Sequence, residues 1–536
     1  MAQPRTTRRG LFRLGGGALA LTAMPGSSFA RQGAAEIVRG VVFEDREETG
    51  ERQPGDPGIP GVLVSNGRRV TRTDAQGRYE LPVEPGSVIF VIKPAGWITP
   101  VDPVTKLPRF YRVHEPDGTP GSLDLAWPGV EPTGPLPESL DFPLRRNRES
   151  ARFDVLMFAD PQPANASELD YLRESFVSSL DGANAAFGVT LGDVMSDNLG
   201  LYEPYNRLMG QLGLPWFNLP GNHDLNYESI DNSRARETWK RVFGPPWYAF
   251  EHGEATFVML DNVCWERGRG YRGLIGAAQL EFVENLLAHT PANRLIVVCM
   301  HVPLVSSETG APASNTEDRD RLLGLLAGRP AVSFSGHMHT AEHHYLAAPG
   351  VRDAHHHQVL AAVSGSWWSG PLDAGGQPLA QCCDGSPNGY YVLSIDGTRS
   401  STRFVSRESP AMRIMLDRRE ASARARNSAT ALTLDETMGA EVLVNIFDGG
   451  PRTRARLEVA GFRFDMKRVA RPDPFTRDLY ARNPDSVKSW VRAADSTHLW
   501  AASLPPSLGA GFHKLTVEAR DEFGREFTQS LVFEIS

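Results

Sequence analysis

The chain has 536 residues, 41% hydrophobic and 22% charged, which is typical of folded globular protein and long enough for several domains. Its formal net charge is −8, and residues 1–30 carry four arginines and no acidic residue, so the rest of the chain is more acidic still. An acidic body argues against a nucleic-acid-binding surface.

Residues 1–30 are interpreted as an export signal. Arg8 and Arg9 precede a short apolar stretch at 14–24, and small residues near Ala30 suit a signal peptidase. The arginine pair resembles the signal of the twin-arginine export route; a basic N-terminus without a targeting role is the alternative. We therefore expect a periplasmic or secreted protein. No other stretch is long and apolar enough to predict a transmembrane span in the mature chain.

Residues 36–145 predict an N-terminal β-sandwich module, because short strands alternate with turn residues. Asn66-Gly67 stands between the apolar stretches 61–65 and 69–73, which is a strong hairpin signal. After residue 410 the pattern becomes all-β again. Residues 410–536 therefore predict a second, C-terminal β-sandwich domain.

The central region, residues 150–406, alternates short apolar strands with helical patterns and predicts an α/β domain. Residues 277–289 have helical spacing of their leucines and valine. Among the four cysteines, Cys299 lies in an apolar run and is expected to be a buried thiol. In an oxidising compartment Cys264 has Cys382 or Cys383 as a potential disulfide partner.

Five segments of the central region share one design, in which an apolar strand leads into residues that commonly bind metals. In chain order these residues are Asp160 and Gln162, Asp193, Asn222 with His223 and Asp224, His301, and His337 with His339. Strands of α/β sheets form ligand sites at their carboxyl ends. Imidazole suits Zn and Fe, and a carboxylate is able to bridge two ions about 3.5–4 Å apart. The pattern therefore predicts a two-metal site.

The ordered motifs D-x-Q, G-D, G-N-H-D, H and G-H-x-H over residues 150–345 resemble the calcineurin-like metallophosphoesterase family. The whole arrangement resembles exported bacterial members with β-domains at both ends. The resemblance implies a central two-sheet α/β/β/α sandwich and hydrolysis of a small phosphate mono- or diester by a metal-activated water. It also implies two divalent or trivalent metal ions, Mn, Fe or Zn. Nothing in the sequence fixes the oligomeric state.

The same resemblance assigns a role to each motif residue. The first metal takes Asp160, Gln162 and His339, the second takes Asn222, His301 and His337, and Asp193 bridges the two. His223 stands beside the scissile phosphate, which Asn222 also contacts. Asp224 orients the His223 imidazole.

Gln162 departs from the family pattern, which usually has histidine at this position. An amide oxygen is a weaker donor than imidazole, so Gln162 either ligates loosely or hydrogen-bonds a metal-bound water. Taken singly, the motif residues also have plainer interpretations as turn, cap or core residues. The alternative function is an envelope binding protein with a non-catalytic phosphoesterase-like domain. Gln162 favours that alternative, whereas His223 and Asp224 disfavour it.

Three further segments attract attention. Trp367 and Trp368 either line the substrate mouth or pack within their loop. Residues 265–272 form an expected rim loop whose arginines include a potential phosphate ligand, although most are expected to be solvated. Residues 355–357, three consecutive histidines, are expected to lie in a surface loop.

Overall fold

The N-terminal region folds into two four-stranded sheets. The structure, a computed structural model, describes residues 36–180, 184–308, 313–347, 354–407, 411–418 and 430–536. The expected export signal at 1–30 lies outside these described residues. The strands are β1 (Glu36–Glu44), β2 (Leu63–Ser65), β3 (Val70–Arg72), β4 (Arg78–Val83), β5 (Ser87–Ile92), β6 (Trp97–Ile98), β7 (Tyr111–His114) and β8 (Phe142–Arg146). Their orders are β4-β1-β8-β6 and β3-β2-β5-β7.

The predicted hairpin of this region is confirmed. Strands β2 and β3 pair antiparallel around Asn66 and Gly67. The Asn66 side-chain oxygen accepts the backbone N–H groups of Arg68 and Arg69 at 2.9 and 2.7 Å, and Gly67 has a φ of 84°. Glycine adopts this left-handed conformation without a Cβ penalty, which is why the turn forms here.

The described residues of the central region form thirteen strands and five α-helices. The strands are β9 (Arg152–Phe158), β10 (Phe187–Leu191), β11 (Trp216–Leu219), β12 (Tyr248–His252), β13 (Ala255–Met259), β14 (Val263–Glu266), β15 (Gly270–Gly273), β16 (Leu295–Cys299), β17 (Ala331–Ser335), β18 (Glu342–Leu346), β19 (His355–Val359), β20 (Gly389–Asp396) and β21 (Arg399–Ser406). The helices are α1 (Ala166–Ser175), α2 (Tyr202–Gly210), α3 (Glu237–Phe243), α4 (Ala277–His289) and α5 (Arg319–Leu326). The helix expected at 277–289 is thereby confirmed.

Two sheets face each other in this region, with orders β11-β10-β9-β20-β21 and β12-β13-β16-β17-β19-β18. Side chains of β9 alternate between two cores, as strand geometry requires. Val155 and Met157 join the core between the sheets, whereas Leu156 and Phe158 pack with α1, α2 and α3. Helices α4 and α5 pack on the six-stranded sheet. The predicted α/β/β/α sandwich between two β-sandwiches is confirmed.

The C-terminal region forms the third sandwich. Its strands are β22 (Met412–Arg418), β23 (Ala431–Leu432), β24 (Ala440–Ile446), β25 (Arg454–Val459), β26 (Phe462–Asp465), β27 (Lys467–Pro472), β28 (Asp495–Ser503), β29 (Gly511–Arg520) and β30 (Glu526–Ile535), with helices α6 (Leu434–Thr437) and α7 (Pro474–Arg482). The sheet orders are β22-β24-β28-β27 and β23-β30-β29-β25-β26. Across the described ranges, no helix is long and apolar enough to cross a membrane.

The cysteines differ from expectation in one respect. Cys299 is fully buried, as predicted, but all four cysteines are free thiols, so the expected pairing of Cys264 is wrong. Cys264 lies on the short β14–β15 hairpin, whereas Cys382 is buried in the core between the central sheets. The two chain positions belong to different layers of the structure.

The prediction of a surface loop at 355–357 is also wrong. These histidines form β19, which lies between β17 and β18 in the six-stranded sheet, and His357 is fully buried. The Ser333 hydroxyl lies 2.8 Å from His355 Nε2 and 2.8 Å from His357 Nδ1, so neighbouring polar groups satisfy the rings. Burial lowers the pKa of His355 to about 4 and that of His356 to about 3.

We expect the protein to lose stability on acidification, partly through His355. A histidine in the unfolded chain has a pKa near 6.5, whereas the pKa of native His355 is about 4. Between these two pH values His355 is therefore protonated in the unfolded chain and neutral in the native protein. This contribution to stability is present above the unfolded pKa and declines as the pH falls. It amounts to on the order of 2 kcal/mol between about pH 7 and about pH 5.

Urea unfolding of metal-free protein at the two pH values measures this loss. His355→Gln should flatten the pH dependence, because the side chain no longer titrates. Phe512→Leu, at an exposed side chain of β29 that does not titrate, is the control and should retain the wild-type slope. An unchanged slope in the His355 variant contradicts the assignment.

Candidate active site

The loops after β9, β10, β11, β16 and β17 meet at one edge of the central sandwich. Strands β9, β10 and β11 run parallel in one sheet, and β16 and β17 run parallel in the other. Their carboxyl ends therefore bring together motif residues that are far apart in sequence. Ligand atoms of Asp193, His301 and His337 lie within 4.8 Å of one another.

One half of the site surrounds His301. Its Nε2 atom lies 3.0 Å from Asn222 Oδ1 and 3.3 Å from Asp193 Oδ1, while its Nδ1 lies 2.9 Å from the Leu191 carbonyl oxygen. The carbonyl fixes the orientation of the ring, as outer partners do for metal-binding histidines. The His337 ring packs edge-on against His301, with 4.9 Å between centroids.

The other half surrounds Asp160. The His337 backbone N–H donates to both carboxylate oxygens of Asp160, at 2.9 and 3.1 Å. His339 Nε2 lies 3.8 Å from Asp160 Oδ1, and its Nδ1 contacts the Gly365 carbonyl oxygen. Gln162 donates from Nε2 to Asp193 Oδ2 at 2.7 Å, while its buried Oε1 has no partner among the described residues.

Asp193 lies between the two halves. Its Oδ2 accepts from Gln162, and its Oδ1 faces His301 and accepts the His223 backbone N–H at 2.9 Å. One carboxylate thus presents one oxygen to each half, which is the arrangement that a bridging ligand requires.

Two glycines allow the backbone to approach these carboxylates. A Cβ on Gly221 would overlap Asp193 Oδ1, and a Cβ on Gly336 would overlap Asp160 Oδ2. The glycines of the G-N-H-D and G-H-x-H motifs are therefore required by close packing against the site.

Backbone strain concentrates at this edge of the fold. Of the thirteen described non-glycine residues with positive φ, eight belong to the site or its rim. They are Asp160, Gln162, Asp193, Asp197, His337, His339, Trp367 and Trp368. Such conformations cost about 1–3 kcal/mol each and persist where the surrounding structure enforces them, which is common at functional sites.

The electrostatics of the site favour cations. Asp160 is fully buried and Asp193 is 2% exposed, and no described lysine or arginine forms an ion pair with either. Burial raises the pKa of Asp160 to about 7. Burial also disfavours ionised Asp193, but the His301 and His223 imidazoles hold its pKa below the usual range. Buried carboxylates without a described lysine or arginine partner, together with imidazoles and the unpartnered Gln162 oxygen, fit a metal centre.

His223 is oriented by a residue that the sequence analysis did not identify. Its Nδ1 lies 2.7 Å from Asp197 Oδ1, and its Nε2 lies 4.0 Å from Asp193 Oδ2. The Tyr227 hydroxyl lies 2.8 Å from the same Asp197 oxygen and 2.7 Å from the Asn222 carbonyl oxygen. Asp197 follows Asp193 by four residues in the loop after β10, and its position in an acidic G-D-x-x-x-D segment was the available signal.

The role expected for Asp224 is wrong. Its fully buried carboxylate accepts backbone N–H groups from Val194, Met195 and Gly221, and the hydroxyl of Tyr202 at 2.9 Å. Burial raises the pKa of Asp224 to about 6. Asp224 therefore connects the loop after β10 to the loop after β11 by hydrogen bonds to their backbone N–H groups, and none of the hydrogen bonds described for it involves the His223 ring.

Aromatic rings stand beside the two histidines of the last motif. Tyr271 of β15 packs edge-on against His337 at 5.8 Å, and Trp367 stacks on His339 at 3.8 Å between centroids. Trp368 is buried, and its indole N–H donates to the Pro161 carbonyl at 2.7 Å. Trp367 thus lies at the site, whereas Trp368 packs in the core.

The rim arginines are largely committed elsewhere. Arg272 pairs with Glu317 at 2.6 Å, and Arg269 pairs with Glu266 at 3.1 Å, both on exposed surface. The structure therefore gives no sign that these two guanidinium groups serve as phosphate ligands.

Comparison with known families identifies the class. Three models match in chain order: "N terminal of Calcineurin-like phosphoesterase" at 46–125, "Calcineurin-like phosphoesterase" at 153–341, and "C terminal of Calcineurin-like phosphoesterase" at 357–527. The chain belongs to the calcineurin-like phosphoesterase family, as the motifs predicted. It is a metallophosphoesterase, a hydrolase of phosphate esters that uses divalent metal ions.

The other comparisons add little. A solved structure of a purple acid phosphatase from yellow lupin (Lupinus luteus) seeds is similar, at 14% identity and a TM-score of 0.34, over 69% of this chain and 67% of that one. The search of curated proteins found no match.

Asp197→Asn should lower kcat by about 10- to 100-fold, which is below most of the roughly 100- to 10,000-fold contribution of a positioned acid or base, because Asp197 acts only through His223. Asp197 and Asp193 raise the pKa of His223 to about 9 against the effect of burial, so loss of the Asp197 charge should lower that pKa. The alkaline limb of the rate profile should then move to lower pH, since less His223 stays protonated.

Steady-state kinetics across pH, with metal content measured on the same samples, check this expectation. Asp170→Asn, on the exposed face of α1 in an ion pair with Arg173, is the matched control. Wild-type kcat and pH profile in Asp197→Asn contradict the orienting role.

Proposed function

We propose that this protein hydrolyses a small phosphate mono- or diester in the cell envelope, at a centre of two metal ions. The observation that carries the proposal is the pair of buried carboxylates, Asp160 and Asp193, which have no lysine or arginine ion-pair partner among the described residues and face three imidazoles. When bound, the two ions polarise the phosphoryl group and lower the pKa of a water.

The ligand assignment follows the two halves of the site. Asp160, Gln162 and His339 would hold the first ion, Asn222, His301 and His337 would hold the second, and Asp193 would serve both. The unpartnered Gln162 Oε1 supports direct ligation of the first ion, because a buried acceptor without a hydrogen bond is costly. The donor set fits Mn, Fe or Zn.

His223 acts on the substrate in this proposal. Asp197 contacts Nδ1, which leaves Nε2 directed toward Asp193 and the space where the ester phosphate would lie. From there Nε2 donates a proton to the leaving oxygen, while the Asn222 side chain helps to position the phosphate. Tyr227 holds both Asp197 and the Asn222 backbone, so the acid and the positioning residue keep one relative geometry.

Asp193→Asn tests the central assignment. The neutral amide cannot compensate two cations, so we expect bound metal to fall and turnover of generic aryl phosphate mono- and diesters to drop at least about 1,000-fold, since metal activation is worth several kcal/mol. Elemental analysis and initial rates measure the two effects.

Two controls sharpen this experiment. Exhaustive chelation of the wild type should abolish turnover, and rapid-quench kinetics should show no burst of phosphoenzyme. Asp396→Asn, at an exposed aspartate of β20 that pairs with Arg152, should retain both metal and activity. The proposal fails if Asp193→Asn keeps near-normal turnover with an intact fold.

We also propose export through the twin-arginine route, on the basis of Arg8 and Arg9 before the apolar stretch at 14–24. Replacing both arginines with lysine preserves charge but removes the recognition pair. We expect the mature protein to appear in the periplasmic or secreted fraction for the wild type only, as cell fractionation and N-terminal sequencing would measure. Export of the double-lysine variant at the wild-type level is the contrary result.

A further inference from the structure

A segment of the C-terminal domain, residues 484–494, lies against the loop that carries Trp367. The Gly370 backbone N–H donates to the Ser486 carbonyl at 2.8 Å, and the Ala494 N–H donates to the Cys383 carbonyl at 2.8 Å. Between these ties, the Lys488 ammonium lies 3.0 Å from Glu168 of α1. Backbone and side-chain contacts thus fix the segment along its length, so its outward side chains have defined positions.

Trp490 is the exposed aromatic residue of this segment. Its side chain is 59% exposed, and its ring lies 6.3 Å from Trp367 at an interplanar angle of 77°. Trp367 in turn stacks on the imidazole of His339, at 3.8 Å and 20°. Trp490 is therefore separated from a proposed metal ligand by a single indole, and the two tryptophans form a right-angled corner beside the site.

The corner is poorly explained by stability alone. Trp490, which is 59% exposed as a residue, removes little apolar area from water by its contact with Trp367, and tryptophan is enriched in binding surfaces because its ring is apolar and its N–H is polar. Trp367 also has a φ of 55°, which is unfavourable for a bulky residue. Thus the backbone of Trp367 is strained and Trp490 is exposed, and both residues lie beside the candidate active site.

We propose that Trp490 and Trp367 bind a flat ring in the organic part of the substrate, so that the enzyme favours phosphate esters that carry a planar ring system. This inference rests on the proposed function, because it places the ester phosphate at Asp160 and Asp193. Indole faces stack on planar rings, and such stacking tolerates different ring chemistries. The C-terminal domain thereby supplies a specificity-determining residue to the central site.

Two pairs of esters test the proposal on the full-length, metal-loaded protein. Adenosine 5′-monophosphate and ribose 5-phosphate share the same primary monoester and differ by the base. The methyl ester of adenosine 5′-monophosphate and the methyl ester of ribose 5-phosphate form the equivalent diester pair, which again differs only by the base. In the pair that the enzyme hydrolyses, the ratio of the two kcat/KM values isolates the contribution of the ring.

Trp490→Ala should reduce this ratio about tenfold, and Trp490→Phe should restore most of it, because phenylalanine keeps a stacking face. Phe512→Ala is the matched control, since Phe512 is 77% exposed on β29 and should leave the ratio unchanged. Calorimetry with the phosphonate analogue of adenosine 5′-monophosphate, which resists hydrolysis, should show a low dissociation constant for the wild type, a slightly higher one for Trp490→Phe and the highest for Trp490→Ala.

The outcomes separate this inference from the proposed function. A ratio and a dissociation constant that do not change in Trp490→Ala, or failure of the analogue to bind the wild type, overturn the inference even if hydrolysis is rapid. If the analogue binds in a Trp490-dependent way but neither pair of esters is hydrolysed, the stacking role of Trp490 is supported and the proposed function is contradicted instead.

Discussion

The burial of two carboxylates, Asp160 and Asp193, with which no described lysine or arginine pairs, constrains the whole central domain. A buried ionised group is costly unless it is paired or bound to a metal, and here the surrounding partners are imidazoles, amides and backbone N–H groups. Asp160 and Asp193 occupy the ends of adjacent parallel strands, so the sheet itself forces them together. Imidazoles relieve part of the desolvation and mutual repulsion of these carboxylates, and bound metal ions would relieve more, so metal binding would add to the stability of this edge.

The backbone carries a second cost at the same place. Six residues of the site have positive φ in addition to the two rim tryptophans, and each such conformation is maintained by its surroundings. The supporting elements are the two packed sheets, whose core contains Val155, Met157 and Val297, and the buried Asp224, which ties two catalytic loops. A rigid sandwich with strained loops at one edge thus fixes the ligands before any substrate arrives.

The sequence predicted that the strand-end side chains converge because each motif joins an apolar strand to polar residues, and parallel strands leave few places for such ends to meet. It did not predict which carboxylate orients His223. Asp224 is adjacent in sequence, but the short 3-10 turn over Asn222–Asp224 directs its side chain into the core, and Asp197 reaches the ring from another loop. The prediction for the histidines at 355–357 failed for a related reason. Their polarity alone suggests exposure to solvent, but neighbouring serines such as Ser333 provide hydrogen-bond partners for them within the sheet.

The C-terminal domain is integrated with the catalytic domain. Buried His498 of β28 lies 2.9 Å from Asp384 and 2.7 Å from Asn445, and Asp384 accepts the Ala341 N–H two residues after His339. A buried polar network of this kind is costly to break once formed. It links the loop that follows His339, the loop before β20 and the C-terminal sheet. The position of the segment with Trp490 is therefore coupled through protein contacts to the loop that carries His339, which no sequence motif records.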